Sequence, residues 1–340
     1  MDINYNIWLG HHFSTAFHFI DLIKNNPEDI KFRFYVTNNN VDSITSYNSD
    51  FFELEPIFQE EADYIDYCIN FSQKHNIDIF IPNYKKLDTI SKNIAIFKEN
   101  NIKVLIIDNY NLLNTLDDKV NCYKSFSENK IMSVPEHYIA RNYDEFRTYY
   151  KTIIENNHKV CIKPRYSSSG MGFRIISNYA DSYESLLDFA NPFLSYNHLC
   201  SILEKKDTFN DLIISEYLDG TEYSIDILSD GIKVYAMIPR KKLGKRKRVI
   251  EYNQELIDIC NKIHNNYNVP YIYNVQIKYK NEIPKLIEIN PRMSGGLHIS
   301  CLSGVNYPFL AIKLLLGQKI EITNIKYNIN TTYIEKEIIL

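Results

Sequence analysis

Across residues 1–112, short runs of β-branched and aromatic residues alternate with segments whose apolar positions recur every three or four residues. Ile3 to Leu9, Phe32 to Val36, Ile77 to Pro82 and Ile102 to Ile107 therefore read as strands. Helices are predicted over Ser14 to Lys24, with Ser14 as N-cap, and over Gln59 to His75 and Lys86 to Asn100. Strands separated by helices predict a parallel sheet, an α/β unit. Beyond it the pattern changes. Asp117-Asp-Lys119 opens a predicted helix that ends before the turn Ser133-Val-Pro135; a strand, a helix over Tyr143 to Asn157 and the strand Lys159 to Lys163 follow. From Leu212 to Ile238 three strand runs are separated by Asp219-Gly220 and Asp230-Gly231, both hairpin signals. A helix over Glu251 to Asn266 leads to the strands Tyr271 to Tyr279 and Lys285 to Ile289. This mixture predicts an α+β region over 113–325, with 326–340 as a polar peripheral tail.

Composition narrows the class. At 340 residues with 45% hydrophobic content, the chain can hold two or three compact units with real cores. A net charge of -4 offers no general attraction for nucleic acid or anionic membrane, and neither is expected as a partner. The six cysteines stand singly with no Cys-x-x-Cys pair, which argues against a zinc site and a disulfide scaffold. The start Met1-Asp-Ile-Asn-Tyr-Asn6 has no basic stretch before an apolar one, and no apolar run approaches about 18 residues. A soluble, cytoplasmic protein is expected. Gly10 follows the first strand, but Gly10-His-His-Phe-Ser14 lacks the G-x-G-x-x-G spacing of a dinucleotide site. The first unit thus reads as a Rossmann-like layer without a cofactor of its own. His11 and His12 read either as substrate contacts or as polar loop residues.

Only ten glycines occur, and five of them fall in three segments: Lys163-Pro-Arg-Tyr-Ser-Ser-Ser-Gly-Met-Gly172, Glu216-Tyr-Leu-Asp-Gly-Thr-Glu222 and Glu288-Ile-Asn-Pro-Arg-Met-Ser-Gly-Gly296. A lysine at a strand end before a Ser/Gly-rich turn sets one cation and several backbone N–H groups around an anion. The spacing is not that of a Walker A loop. On a strand, Glu288 and Asn290 share a face, and Gln276 on the preceding strand can reach it, which suits a magnesium ion completed by water and phosphates. Arg292 stands two residues on, where a guanidinium can stabilise a transferring phosphoryl group. In the basic run Arg240 to Arg248, most members read as a solvated mobile loop, with Arg240 and Lys242 as candidates for phosphate or substrate.

Taken in order, Asp118-Lys119, Val134-Pro135, Cys161-Ile-Lys163-Pro164, Glu216 to Asp226, Asn274-Val-Gln276 and Ile287-Glu-Ile-Asn-Pro-Arg292 resemble the ATP-grasp superfamily. The style is similar to the synthetase halves of carbamoyl-phosphate synthase and to ATP-dependent carboxylate-amine (amino-acid) ligases. The run Gly170-Met-Gly-Phe-Arg174 resembles ATP-grasp proteins encoded near tellurite-resistance genes. The resemblance implies a Rossmann-like pre-ATP-grasp domain over 1–112 and a two-lobed ATP-grasp domain over 113–325, with a nucleotide lid about 159–215. It further implies that Lys119 and Lys163 contact ATP phosphates and that Ser168, Ser169, Gly170, Met171 and Gly172 close over them. Glu216, Tyr217 and Leu218 would form the adenine hinge, and Glu222 would hold the ribose. Gln276, Glu288 and Asn290 would bind Mg2+, or Mn2+ in its place, with Arg292 and Arg240 as catalytic residues. Many ligases carry Asp or Glu where this chain has Gln276, and some have Glu at Ser215, which leaves the hinge register open by one residue. The implied reaction is amide-like bond formation between a small carboxylate and an amine through an acyl phosphate, in a protein of a group often dimeric. The competing reading is a non-catalytic nucleotide-binding scaffold.

Overall fold

The computed structural model describes residues 5–167, 170–188, 191–244 and 246–335. Two compact units are present. One comprises Met1–Asp117, Glu222–Gln276 and Glu288–Leu340; the other comprises Asp118–Thr221 and Ile277–Ile287.

In the first unit, β1 (Tyr5–Leu9), β2 (Phe32–Asn38), β3 (Phe51–Leu54), β4 (Ile79–Ile81) and β5 (Lys103–Val104) form a parallel sheet in the order β3-β2-β1-β4-β5. Ile7, Trp8 and Leu9 are all buried, as expected where helices cover both faces. Trp8 stacks on Phe80 at 4.0 Å, and its indole N–H donates to Thr37 Oγ1 at 3.0 Å. The same unit's core joins this layer to later parts of the chain: Phe19, Phe34, Leu228, Ile238, Phe309 and Ile312 belong to one buried cluster. Continuous packing of that kind makes this layer and the later strands one compact unit.

A six-stranded sheet has the order β15-β14-β11-β12-β13-β16. Its strands are β11 (Glu222–Asp230), β12 (Val234–Leu243), β13 (Lys247–Ile250), β14 (Pro270–Lys280), β15 (Ile283–Asn290) and β16 (Ile329–Thr331). In the second unit, β6 (His137–Ala140), β10 (Leu212–Glu216), β7 (Val160–Pro164), β8 (Arg174–Ile176) and β9 (Phe193–Leu194) lie in that order, around a core that includes Phe146, Ile153, Val160, Ile162 and Ile214.

Several elements differ from expectation for local reasons. The predicted helix from Ser14 begins as a 3-10 turn over Ser14–Ala16 capped by Phe13, without a side-chain cap, and becomes α-helical at Phe17. The predicted helix over 86–100 is split into Leu87–Lys92 and Ile94–Glu99, because the Asn93 side chain donates to the Thr89 carbonyl at 2.9 Å and competes with the helix ladder. Only Lys103–Val104 of the strand expected over 102–107 enters the sheet, since the Ile106 amide turns back to Val104 O at 3.0 Å. The short run Phe51–Leu54 is an edge strand that was not predicted. The basic run expected as a mobile loop is instead the end of a hairpin, with Lys242 opposite Arg248 and Leu243 opposite Lys247. The tail contributes β16, paired antiparallel with β13. No helix among the described residues is long and apolar enough to cross a membrane.

Candidate functional site

In the second unit, Asp118 caps the helix Lys119–Glu128 by accepting from the Val120 and Asn121 amides at 2.8 and 3.2 Å. Arg165, just past β7, donates through Nε to the same carboxylate at 2.8 Å and through Nη1 to Asp211 at 2.9 Å. Burial alone would raise the Asp118 pKa, but Arg165 and the two amides hold it below the usual carboxylate range. This clamp ties the helix start to the strand end and was missed in the sequence, where its three members lie far apart.

The clamp positions two lysines. Lys119, the first helical residue, is buried and donates through Nζ to Ser167 O at 3.0 Å. Lys163 on β7 donates to Tyr123 Oη at 2.8 Å and lies 5.2 Å from that ring, while Tyr123 Oη donates to Ile287 O at 2.6 Å. The predicted phosphate loop follows. Ser168 and Ser169 lie outside the described residues; Met171 is exposed. Gly170 and Gly172 have φ of +72° and +74°, and the Phe173 amide closes the turn onto Gly170 O at 3.1 Å. A Cβ on Gly172 would sit 2.7 Å from Pro164 Cγ, whereas one on Gly170 would meet nothing within 4 Å. Gly172→Ala is therefore expected to cost about 2–4 kcal/mol in thermal unfolding, against about 1–2 for Gly170→Ala, which bears only the backbone strain. Equal losses would show that Pro164 simply gives way.

At the predicted hinge, Glu216 is fully buried and its side chain is tied down. Oε1 accepts from the Glu136 amide at 2.9 Å and from Lys285, and Oε2 lies 3.2 Å from Lys280 Nζ. Burial pushes its pKa up, but Lys285, the amide and Lys280 outweigh this and hold it low. The amides of Glu216 and Tyr217 are committed to the Glu136 and Lys159 carbonyls at 2.9 and 2.6 Å, so the hinge can offer the Leu218 amide. The Tyr217 ring lies 5.0 Å from Lys278 Nζ and 6.5 Å from the Phe173 ring. Leu218 is buried.

The first unit carries the remaining residues. Glu222 opens β11 and pairs with Lys242, so these two candidates meet each other. Gln276 on β14 donates to Glu288 Oε1 at 2.8 Å, and Asn290 donates to the same oxygen at 3.1 Å. Asn290 Oδ1 accepts from Arg292 Nη2 at 3.1 Å. Three oxygen-bearing side chains thus meet at one carboxylate oxygen, a donor set suited to a hard cation. Turning the Gln276 amide would present its oxygen in place of its nitrogen, since the two are assigned from the bonding pattern. Arg292 donates through Nη1 to Met293 O at 3.2 Å and lies over the Phe13 and Tyr84 rings at 5.8 and 5.3 Å; burial lowers its pKa.

Arg240 is placed differently from a solvent-facing phosphate ligand. It is 4% exposed, donates through Nε to Asp226 Oδ2 at 3.0 Å, and reaches Ser224 and Ser294 through Nη2 at 3.1 and 3.3 Å. Asp226, whose importance the sequence did not signal, also accepts from Asn274 at 2.7 Å, Ser294 at 2.8 Å and Ser300 at 2.6 Å. His12 is buried, with Nδ1 3.1 Å from Gly10 O; burial first, then the neighbouring Arg292, push its pKa down to about 3, so the ring is neutral. His11 contacts Asn38 Oδ1 at 2.9 Å.

Known proteins share this architecture. Residues 208–337 match a family model described as ATP-grasp in the biosynthetic pathway with Ter operon. The carbamoyl phosphate synthase arginine-specific large chain of Bacillus subtilis is 23% identical over 87% of this chain and 28% of its own length. The chain spans less than a third of the length of the curated relatives it matches. Among solved structures, biotin carboxylase of Campylobacter jejuni in complex with β,γ-ATP superposes with TM-score 0.67, 15% identity and coverage of 96% of this chain and 74% of that one. L-amino acid ligase of Bacillus licheniformis gives 0.62, 11%, 93% and 75%. The chain has an ATP-grasp fold, and residues 208–337 are similar to the ATP-grasp family model.

Proposed function

We propose that the chain joins a small carboxylic acid to an amine, converting ATP to ADP and phosphate. The observation that carries this reading is the connected set Gln276–Glu288–Asn290–Arg292, a carboxylate joined by hydrogen bonds to two side-chain amides, one of which accepts from a guanidinium. A nucleotide scaffold alone has no physical need for that arrangement. The acid's carboxylate oxygen attacks the γ-phosphorus, the bond from that phosphorus to the β,γ-bridging oxygen breaks, and ADP departs, leaving an acyl phosphate. The lone pair of a neutral amine then attacks the acyl carbon, phosphate leaves with the C–O electrons, and the amine proton passes to solvent.

Within this reading Lys119 and Lys163 contribute cations to the phosphates, the Leu218 backbone takes the adenine edge, and Glu222 takes the ribose hydroxyls after releasing Lys242. Gln276, Glu288 and Asn290 hold magnesium, which when bound neutralises phosphate oxygens. Arg292 orients the phosphoryl oxygens by its planar donor fork. Arg240 acts from behind, holding the turn that follows Arg292. The protein's work is positioning and charge neutralisation.

The test is ADP and phosphate release across a panel of acids and amines, with Arg292→Lys as the informative variant. Lysine keeps the charge and loses the fork, so turnover is expected to fall on the order of a hundredfold (~3 kcal/mol) while calorimetric ATP affinity barely moves. Equal losses in both would make Arg292 a ground-state binder. A parent protein that binds ATP yet turns over with no acid would favour the scaffold.

A further inference from the structure

We propose that Tyr123 is a positioning residue for nucleotide binding: its hydroxyl holds the Lys163 ammonium in place for the phosphates of ATP, so that Tyr123 acts on ATP affinity through Lys163. The assignment rests on the ligase reading above for the nucleotide and adds to it a residue outside the motifs that carry that reading. Tyr123 lies four residues beyond Lys119 on the helix Lys119–Glu128, so both side chains leave the same helical face. Lys163 lies near the end of β7, and Ile287 lies in β15, one residue before Glu288. Tyr123, His137, Lys163 and Ile287 all belong to the second unit.

Tyr123 is completely buried, and a buried phenol has to place its O–H on an acceptor. The Ile287 carbonyl is that acceptor, at 2.6 Å. This bond fixes the direction of the O–H and leaves the oxygen's lone pairs to accept, which is where Lys163 Nζ donates at 2.8 Å. The same ammonium lies 5.2 Å from the ring centroid, so ring and hydroxyl orient it together. Packing alone would be served by phenylalanine. The hydroxyl joins a backbone carbonyl on one side to a cation on the other.

A neutral partner suits a lysine that binds phosphate. A carboxylate at this distance would offset the charge that the phosphates require, and the lysine would have to leave it on binding. The phenol directs the ammonium and keeps its charge whole. His137 packs edge-on against the Tyr123 ring at 4.8 Å, with Nδ1 2.9 Å from Pro135 O. Burial first, and then the Lys163 charge, lower the His137 pKa, so the ring beside Tyr123 is neutral and brings no competing cation. A lysine already held in place loses less conformational freedom when phosphate arrives, and that difference appears as affinity.

The experiment is a double-mutant cycle read by calorimetry of ATP binding in the presence of magnesium. Tyr123→Phe keeps the ring and drops the hydroxyl, and is expected to weaken ATP binding about tenfold. Lys163→Met removes the cation and is expected to weaken it on the order of a hundredfold. The double variant should bind as Lys163→Met does, within about twofold, because the hydroxyl then has no ammonium to hold. A purely structural hydroxyl would lower the melting temperature by stranding Ile287 O, and any effect on affinity would persist undiminished without Lys163. Additive losses, or either single variant binding ATP at the parent's affinity, would therefore overturn the assignment. If Tyr123→Phe does not fold, fluorotyrosine placed at position 123 carries the test. ATP is expected to move its fluorine resonance further in the parent than in Lys163→Met, and equal shifts would overturn the assignment. ATP binding without phosphate release on any acid would sink the ligase reading and leave the cycle to decide on Tyr123, whereas no ATP binding by the parent would sink both.

Discussion

Glu288→Ala is expected to abolish magnesium-dependent phosphate release while the protein stays folded. Glu288 is the only carboxylate in the set it forms with Gln276 and Asn290, and both amides converge on its Oε1. Without it two neutral amides remain, and a small cation that sheds water reluctantly has no anionic protein ligand there. A loss on the order of a thousandfold or more is expected, comparable to losing a principal electrostatic stabiliser of the reacting phosphoryl group. Stability should hardly change, because the side chain is only partly buried and the amides it releases can turn to solvent. Gln276→Ala should be milder, since it removes a neutral ligand. The measurement is phosphate release against magnesium concentration for parent and variant, alongside thermal unfolding. Normal turnover by Glu288→Ala at the parent's magnesium optimum would remove the metal assignment.

What the sequence disclosed follows from how far apart the cooperating residues are. Glu288, Asn290 and Arg292 were readable because strand alternation puts i and i+2 on one face, and the structure brings them into one bonded chain. Asp118 was readable as a helix start because capping is local, and its carboxylate does accept the first helical amides. Long apolar runs such as Ile7 to Leu9 announced themselves by burial on both faces. By contrast, Phe51–Leu54 and Ile329–Thr331 are strands only because a neighbour offers an edge, and nothing within three or four residues encodes that neighbour. The same holds for charge. Arg165 with Asp118 and Asp211, or Lys280 and Lys285 with Glu216, are pairs made by topology rather than spacing. Arg240 illustrates the consequence: read from its strand end it looked available to a ligand, yet its partner Asp226 lies across the β11–β12 pairing and buries it.

That pairing makes Asp226→Ala the substitution expected to damage the fold most. Asp226 is completely buried, and four side chains from Arg240, Asn274, Ser294 and Ser300 spend hydrogen bonds on it. Removing the carboxylate strands the Arg240 guanidinium in a site too dry to solvate it, since a Cβ on Gly296 would already lie 2.9 Å from Arg240 Cζ. Breaking a buried pair from one side costs about 3–5 kcal/mol, enough to lower the melting temperature on the order of 10 °C. Replacing both members by apolar residues of similar size, Asp226→Leu with Arg240→Met, should restore most of that loss, because no buried charge is left unpaired. The double variant should nonetheless stay poorly active if Arg240 serves catalysis by holding Ser294 and the Gly295–Gly296 turn just beyond Arg292. Thermal unfolding of both variants and phosphate release by the double variant separate the two roles. A single substitution costing under about 1 kcal/mol would mean that water reaches Arg240 and that the pair is not the keystone of this sheet. Full activity in a stable double variant would confine Arg240 to stability alone.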